Sequence, residues 1–512
     1  MTAAGTPDSR DVVPRWRPFG STVRSGETAP LGQRTAPAAL PDLAEPEEAF
    51  LRWPGAHTAA DLVGVALSSA VRNDVARSAA RLLLDSPVVG ANASDLAHAL
   101  LSQDDKARAP DIDQDSPHID FLEVRARARR LRQIVRAEPR NAIRWADLAL
   151  AHTVLGHPRQ AEREIRTALA IAGPHRFLLR AAARLYVHMG RPDAAHDLLV
   201  ADPAVLDDPW LAATEIATAN LAGSSSRHMK RAQRMLDNTH GHAPRHLAEL
   251  ASQVATTELR SGRVKPAKRL MKLALVQPTD NALAQAEWAS VNGLAIEQFS
   301  LDVPLTYEAR ALRHSHVGDW QNASRAGLDW LADQPFAQEA AQFTSYVASV
   351  GAQDWPVAEN AAKTGLVANP DSHMLRNNLA FALANQDRAA EAREQLEHVP
   401  AAQLAPRERA VLDATNGLVL FRLGDLQQGR EAYRQAVDSL SALRHLDLAA
   451  LADVFWAREE VLVGSAEAAG SVASAVDRVR RSQAPEARLW ADRLKELLAE
   501  RAISALLPGQ CR

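Results

Sequence analysis

A single cysteine, Cys511, is all the thiol that this chain of 512 residues carries. It stands next to the C-terminus, so no intramolecular disulfide, zinc–thiolate cluster or buried thiol nucleophile can be built from it. Aromatic residues make up only 5% of the sequence, and β-branched runs are scarce. That leaves Ala and Leu to supply the apolar fraction, a composition that favours helix over sheet. The formal charge is −3 with 24% charged residues. The whole chain is therefore neither a basic nucleic-acid binder nor an acidic tail protein, and any polyanion site has to be local. No stretch reaches the ~18 apolar residues needed to span a bilayer, and Met1 to Val13 lacks the apolar core of a signal peptide. A cytoplasmic protein that does not enter membranes is expected. P-loop, G-x-G-x-x-G, G-x-S-x-G and H-E-x-x-H patterns are also missing, so neither an enzyme nor a cofactor is expected.

What the chain does contain falls into blocks. Residues 1–46 hold seven prolines and four glycines without a helical or alternating apolar period, which predicts a largely unpacked, disordered leader. Inside it, Pro14-Arg15-Trp16-Arg17-Pro18-Phe19 is a cationic, aromatic patch of the kind that docks as a short linear motif. Over 47–103 apolar positions return at helical spacing, predicting helices near 58–72, 74–85 and 93–102 in a small bundle or N-terminal cap. Residues 104–120 form an acidic linker.

From about Pro139 a period of 34 residues appears: Gly156 and Gly190 are one period apart, as are Ala161 and Ala195. Trp145-Ala146-Asp147-Leu148-Ala149, Gly156, Ala161, Ile165 and Ala168 resemble the tetratricopeptide pattern of W, L, small, G, A, bulky, A. Small residues let facing helices approach, glycine ends the first helix, and bulky positions fill the space between repeats. The resemblance implies an all-α solenoid of helix pairs, with a first part over 121–280 and a second over 305–439. The period breaks between Ala267 and Ala323, so 281–304 is expected to be an irregular interruption made of an irregular helix and a loop. Apolar residues beyond 440 predict capping helices over 440–512.

The first helices of tetratricopeptide units line a concave groove for a protein or peptide partner. The resemblance therefore nominates Asp147, Ser252, Gln253, Thr256, Arg260, Glu308 and His316, and later Asn377, Asn378, Phe381, Asn385 and Arg422. A non-catalytic scaffold or adaptor is the function this implies. Two alternatives start from other residues. Basic tracts at Arg125, Arg127, Arg129, Arg130, Arg132 and Arg136, and at Lys230, Arg231, Arg234, Arg263, Lys265, Lys268, Arg269 and Lys272, would attract nucleic-acid phosphates, although no interleaved aromatics offer base stacking. A metal-dependent enzyme or sensor would hold its site within residues 47–120, where Asp111, Asp113 and Asp115 have calcium-loop spacing; His240, His242 and His246 are a separate candidate for a transition metal. The aspartates lack the glycine turn and the closing glutamate of a calcium loop, and no cysteine supports the histidines. No metal ligand is expected.

Overall fold

The computed structural model describes Asp11 and residues 13–19, 43–68, 73–86, 91–101, 119–173, 175–238, 242 and 244–506. The Asp111–Asp115 run, His240 and Cys511 lie outside them. Among the described residues there are twenty-five α-helices and no strand. No helix is long and apolar enough to cross a membrane.

Four helices come first: α1 (Ala44–Arg52), α2 (Ala56–Ser68), α3 (Asp74–Asp85) and α4 (Ala91–Leu101). They form a bundle around Leu62, Val63, Ala79, Leu83, Ala97 and Leu100. Asn73 starts α3 by accepting from the Ala76 N–H at 2.9 Å, which satisfies one of the donors orphaned at a helix N-terminus. Helix α5 (Phe121–Ala137) then leads into the pairs.

The pairs are α6 (Ala142–Val154) with α7 (Pro158–Ala172), α8 (Arg176–His188) with α9 (Pro192–Val200), α10 (Pro209–Leu221) with α11 (Met229–Asp237), and α12 (Pro244–Arg260) with α13 (Val264–Ala274). In each, the first helix ends at a glycine with positive φ: Gly156, Gly190, Gly223 and Gly262. Only a residue without Cβ takes that conformation freely. Proline opens α7 and α9, where its missing N–H costs nothing. Helix α14 (Asp280–Val291) repeats the first-helix role and ends at Gly293, but it has no helical partner. Residues 292–306 run without helix in its place, and Leu294, Phe299, Leu301 and Val303 pack there instead. Part of the interruption expected at 281–304 is thus a regular helix, and the period breaks because the second helix of that unit is replaced.

The pairing resumes with α15 (Tyr307–His316) and α16 (Trp320–Asp333), α17 (Gln338–Tyr346) and α18 (Trp355–Ala368), α19 (His373–Ala384) and α20 (Ala389–Glu397), α21 (Pro406–Arg422) and α22 (Leu426–Ala442), and α23 (Leu446–Val463) and α24 (Ala468–Arg480), before the terminal α25 (Pro485–Leu506). Positive φ recurs at the inner turns, at Gly318, Gln353, Asp387, Gly424 and Gly464. Among the described residues the chain is all-α, a tetratricopeptide-like solenoid of helix pairs. It divides into two compact units, one of residues 9–309 with 332–336 and one of residues 310–331 with 337 onward.

Candidate functional site

In the first unit the inner helices are buried on faces that an open solenoid leaves to water. Every residue from Pro209 to Ala219 of α10 and from Asp280 to Ala289 of α14 is buried, including Thr214, Glu215, Gln285 and Glu287. What covers the groove is Asp11 and residues 13–19. They lie in the stretch expected to be unpacked, yet Trp16 is 1% exposed and Arg17 3%. Val13 to Pro18 form neither helix nor strand. Their order comes from side chains far away in sequence.

At one end of the segment the Asp11 carboxylate accepts from Asn220 of α10 at 2.9 Å and from Gln253 of α12 at 2.8 Å, and it pairs with Arg260 of α12 at 3.0 Å. The Val13 carbonyl accepts from Asn281 at 2.9 Å. Further along, Arg17 forks onto both oxygens of Asp333, 2.7 Å each, and reaches Asp280 at 2.7 Å. Arg15 bonds to Glu308 and lies 3.9 Å from Asp280. The Trp16 N–H donates to Gln334 at 3.4 Å, and the Phe19 N–H donates to Asp147 of α6 at 2.9 Å. Trp16 meets Phe336 edge-on at 5.9 Å, and Phe19 meets Phe177 of α8 at 5.2 Å. Phe336 also carries the Arg184 guanidinium 5.0 Å above its ring.

The electrostatics follow from burial. Desolvation alone would push the Asp280 carboxyl up, but the Arg17 and Arg15 guanidiniums hold it below its ordinary 3.8. Burial works against the charge on both arginines as well, and the facing carboxylates outweigh it, so both hold their protons more tightly than usual. Ordering about nine residues costs on the order of 10 kcal/mol of backbone entropy. Two aromatics burying ~200 Å² each at roughly 25 cal/mol per Å² offset about that much, which leaves the charged contacts to set specificity.

Of the nominated groove residues, the structure brings Asp147, Gln253, Arg260 and Glu308 onto this segment. Ser252 and Thr256 are buried in α12 and donate to the carbonyls of Glu249 and Ser252, while Thr256 accepts from Gln285. His316 is exposed at the end of α15. Asn220, Asp280, Asn281, Asp333, Gln334 and Phe336 were not singled out. Asp280 and Asn281 sit at the edge of the broken period, and Asp333 ends the second helix α16 with Gln334 and Phe336 just past it, where the repeat pattern nominates nothing.

The other late positions gather in the second unit. Asn377 and Phe381 of α19 line a cavity of about 320 Å³ with Tyr346, Thr415, Tyr433 and Phe455. The Asn377 side-chain oxygen is buried there without a partner. Asn378 lines it too, and donates to Ser345 at 2.9 Å and to the Gln342 carbonyl at 3.3 Å. Asn385 and Arg422 line a different cavity, beside Arg458 and Trp490. There Asn385 accepts from Arg458 at 2.6 Å, and Arg422 pairs with Glu459 at 2.8 Å.

The first basic tract lies along α5, where Arg125, Arg129, Arg130, Arg132 and Arg136 are exposed and Arg127 is half-buried. The second lies on α11 and α13 and the turn before α13, and part of it is paired: Arg231 with Asp207, Arg263 with Glu258, Arg269 with Asp237 and Lys272 with Glu297. His246 is not placed as a ligand. Its ring packs edge-on against Trp210 at 5.6 Å, and burial, helped by Arg176, lowers its pKa to about 4. Among the described residues no three His, Cys, Asp or Glu side chains are placed to share a metal ion.

No family model matches the sequence, and no curated protein matches it. Solved structures similar in fold include yeast Tom70, at 11% identity over 91% of this chain and 97% of that one, with a TM-score of 0.29. The APC/C hetero-tetramer Cut9–Hcn1 aligns at 13% identity over 90% and 98%, with a TM-score of 0.27. At these values the fold assignment rests on the helix pairs themselves.

Proposed function

We propose that the chain is a non-catalytic protein-binding scaffold that takes an extended peptide segment into the concave groove of its first unit. The observation that carries this is the seating of Asp11 and residues 13–19. A stretch that from Val13 to Pro18 is neither helix nor strand is held by side chains of six inner helices, α6, α8, α10, α12, α14 and α15, through its main chain as well as its side chains. Groove amides and carboxylates that read both backbone and side chains are what peptide recognition by a preformed surface requires.

The test is selection from a displayed peptide library on the full chain carrying Arg15→Ala and Arg17→Ala, which loosens the resident segment and changes none of the groove's own residues. Enriched peptides whose capture is lost when Asp280→Asn and Asp333→Asn are added support the scaffold. A library that yields no enrichment over beads counts against it.

A further inference from the structure

The groove is divided by charge. Asn220, Gln253 and Arg260 converge on one carboxylate at one end, while Glu308, Asp280 and Asp333 converge on two guanidiniums further along. Between and beyond them, Phe336 and Phe177 each receive one aromatic ring. This order can be read as a specification. With the segment gone, Asp280 and Asp333, which share one Arg17 nitrogen at 2.7 Å each, would face each other without a cation in a poorly hydrated site. That is costly for like charges. Whatever replaces the segment must therefore bring cations to the same place, an acid to the other end and rings to both aromatic contacts.

Resting on the reading of the chain as a peptide-binding scaffold, we infer that the first groove is the receptor for an extended segment of a partner protein. That segment carries an acidic residue, three spacer residues, and then Arg, aromatic, Arg, Pro and aromatic in order. Residues 11–19 are an intramolecular copy of this ligand that holds the site until the partner displaces it. The spacing is that of Asp11, Arg15, Trp16, Arg17, Pro18 and Phe19. A segment tethered to its own receptor competes at an effective concentration on the order of mM. Access in trans is therefore governed by how firmly the resident copy is held. The resident copy suppresses weak or incomplete matches and admits a partner that makes the same contacts and adds others.

The experiment uses the full chain and a fluorescein-labelled peptide of residues 9–21, read by anisotropy. We expect the peptide to bind the Arg15→Ala/Arg17→Ala chain at least about tenfold more tightly than the wild-type chain, since only the competitor has been weakened. Adding Asp280→Asn and Asp333→Asn should abolish that binding, and a peptide carrying Trp16→Ala should lose at least about tenfold. Equal affinity for the wild-type and Arg15→Ala/Arg17→Ala chains overturns the competition. No binding to either folded chain overturns the mimicry and makes residues 11–19 a fixed part of the fold. If the double variant fails to fold, Arg17→Lys keeps a charge but removes the fork, and the same order of affinities applies to it. The library selection separates the two readings: enriched peptides of unrelated sequence keep the scaffold and overturn this ligand, whereas no enrichment removes both.

Discussion

Arg17 is the residue on which the segment's hold turns, because it is the cation that buried Asp280 and half-buried Asp333 share. Removing one partner of such a pair is worse than never having built it, and Arg17→Ala should destabilise the first unit by roughly 3–5 kcal/mol, read from the urea midpoint. The pH dependence has a definite sign. Asp280 is held below its ordinary 3.8 by Arg17 and Arg15 against the opposing effect of burial. Its contribution is fully present above the ordinary carboxylate value and fades as pH falls through the depressed one. The segment should stay seated through neutral and mildly acidic pH and leave only below about pH 4. Fluorine NMR of chain labelled with 5-fluorotryptophan, with the Trp16 signal assigned through Trp16→Phe, follows this directly. Release on raising the pH from 5 to 7 would contradict the assignment. His246 gains a charge on protonation where Asp280 loses one, with the same direction in stability. Burial against Trp210 and Arg176 lowers its pKa to about 4, so unfolding takes up a proton between its ordinary 6.5 and about 4. Stability should fall over that window by at most ~1.4 kcal/mol per pH unit. In His246→Phe, the difference between urea midpoints at pH 7 and pH 5 should shrink.

Helix pairing depends on residues that have no side chain to spare. A Cβ at Gly365 of α18 would stand 2.3 Å from the Ala341 Cβ on α17 and 2.8 Å from Leu375 on α19. Gly365→Ala therefore forces three helices apart. The loss of ~1–3 kcal/mol from overpacking exceeds the gain of up to about 1 kcal/mol in helix propensity. Gly470 in α24 is the counter-case: nothing lies within 4 Å of its would-be Cβ. Gly470→Ala should raise the melting temperature where Gly365→Ala lowers it, and thermal denaturation of the two variants checks both signs. The same close approaches made the repeat visible in the sequence, since turn glycines and small facing residues recur for a local steric reason. The register also pointed to the helix faces that hold Asp147, Gln253 and Arg260. It was silent on Asp333, Gln334 and Phe336, because a residue at or just past the end of a second helix has no fixed position in the pattern. The leader was read as unpacked from its prolines and glycines. Val13 to Pro18 do form neither helix nor strand, but the partners of this stretch and of Phe19 stand 128 to 320 positions away. No local signal reports such contacts beyond the cation–aromatic cluster itself.

Two compact units imply two sets of cooperative contacts. One holds the first pairs, α14 and the bound segment. The other holds a core running from Val350 and Ala362 through Phe421, Phe455 and Trp490. A repeat array loses all-or-none behaviour when contacts between neighbouring parts are fewer than those within them. The chain should accordingly unfold in urea in two transitions. Substitutions then assign the transitions: Arg17→Ala should shift only the one that exposes amides of α12 and α14, and Gly365→Ala only the one that exposes α17 to α19. Hydrogen exchange read by mass spectrometry along the urea series distinguishes them by peptide. A single transition moved equally by both substitutions would show that the units fold as one, and the seating of residues 11–19 would then bear on the stability of the whole array. Two transitions that move independently would confine the segment's effect to the unit whose groove it fills, leaving the Asn377 cavity of the second unit unaffected by whether the first groove is occupied.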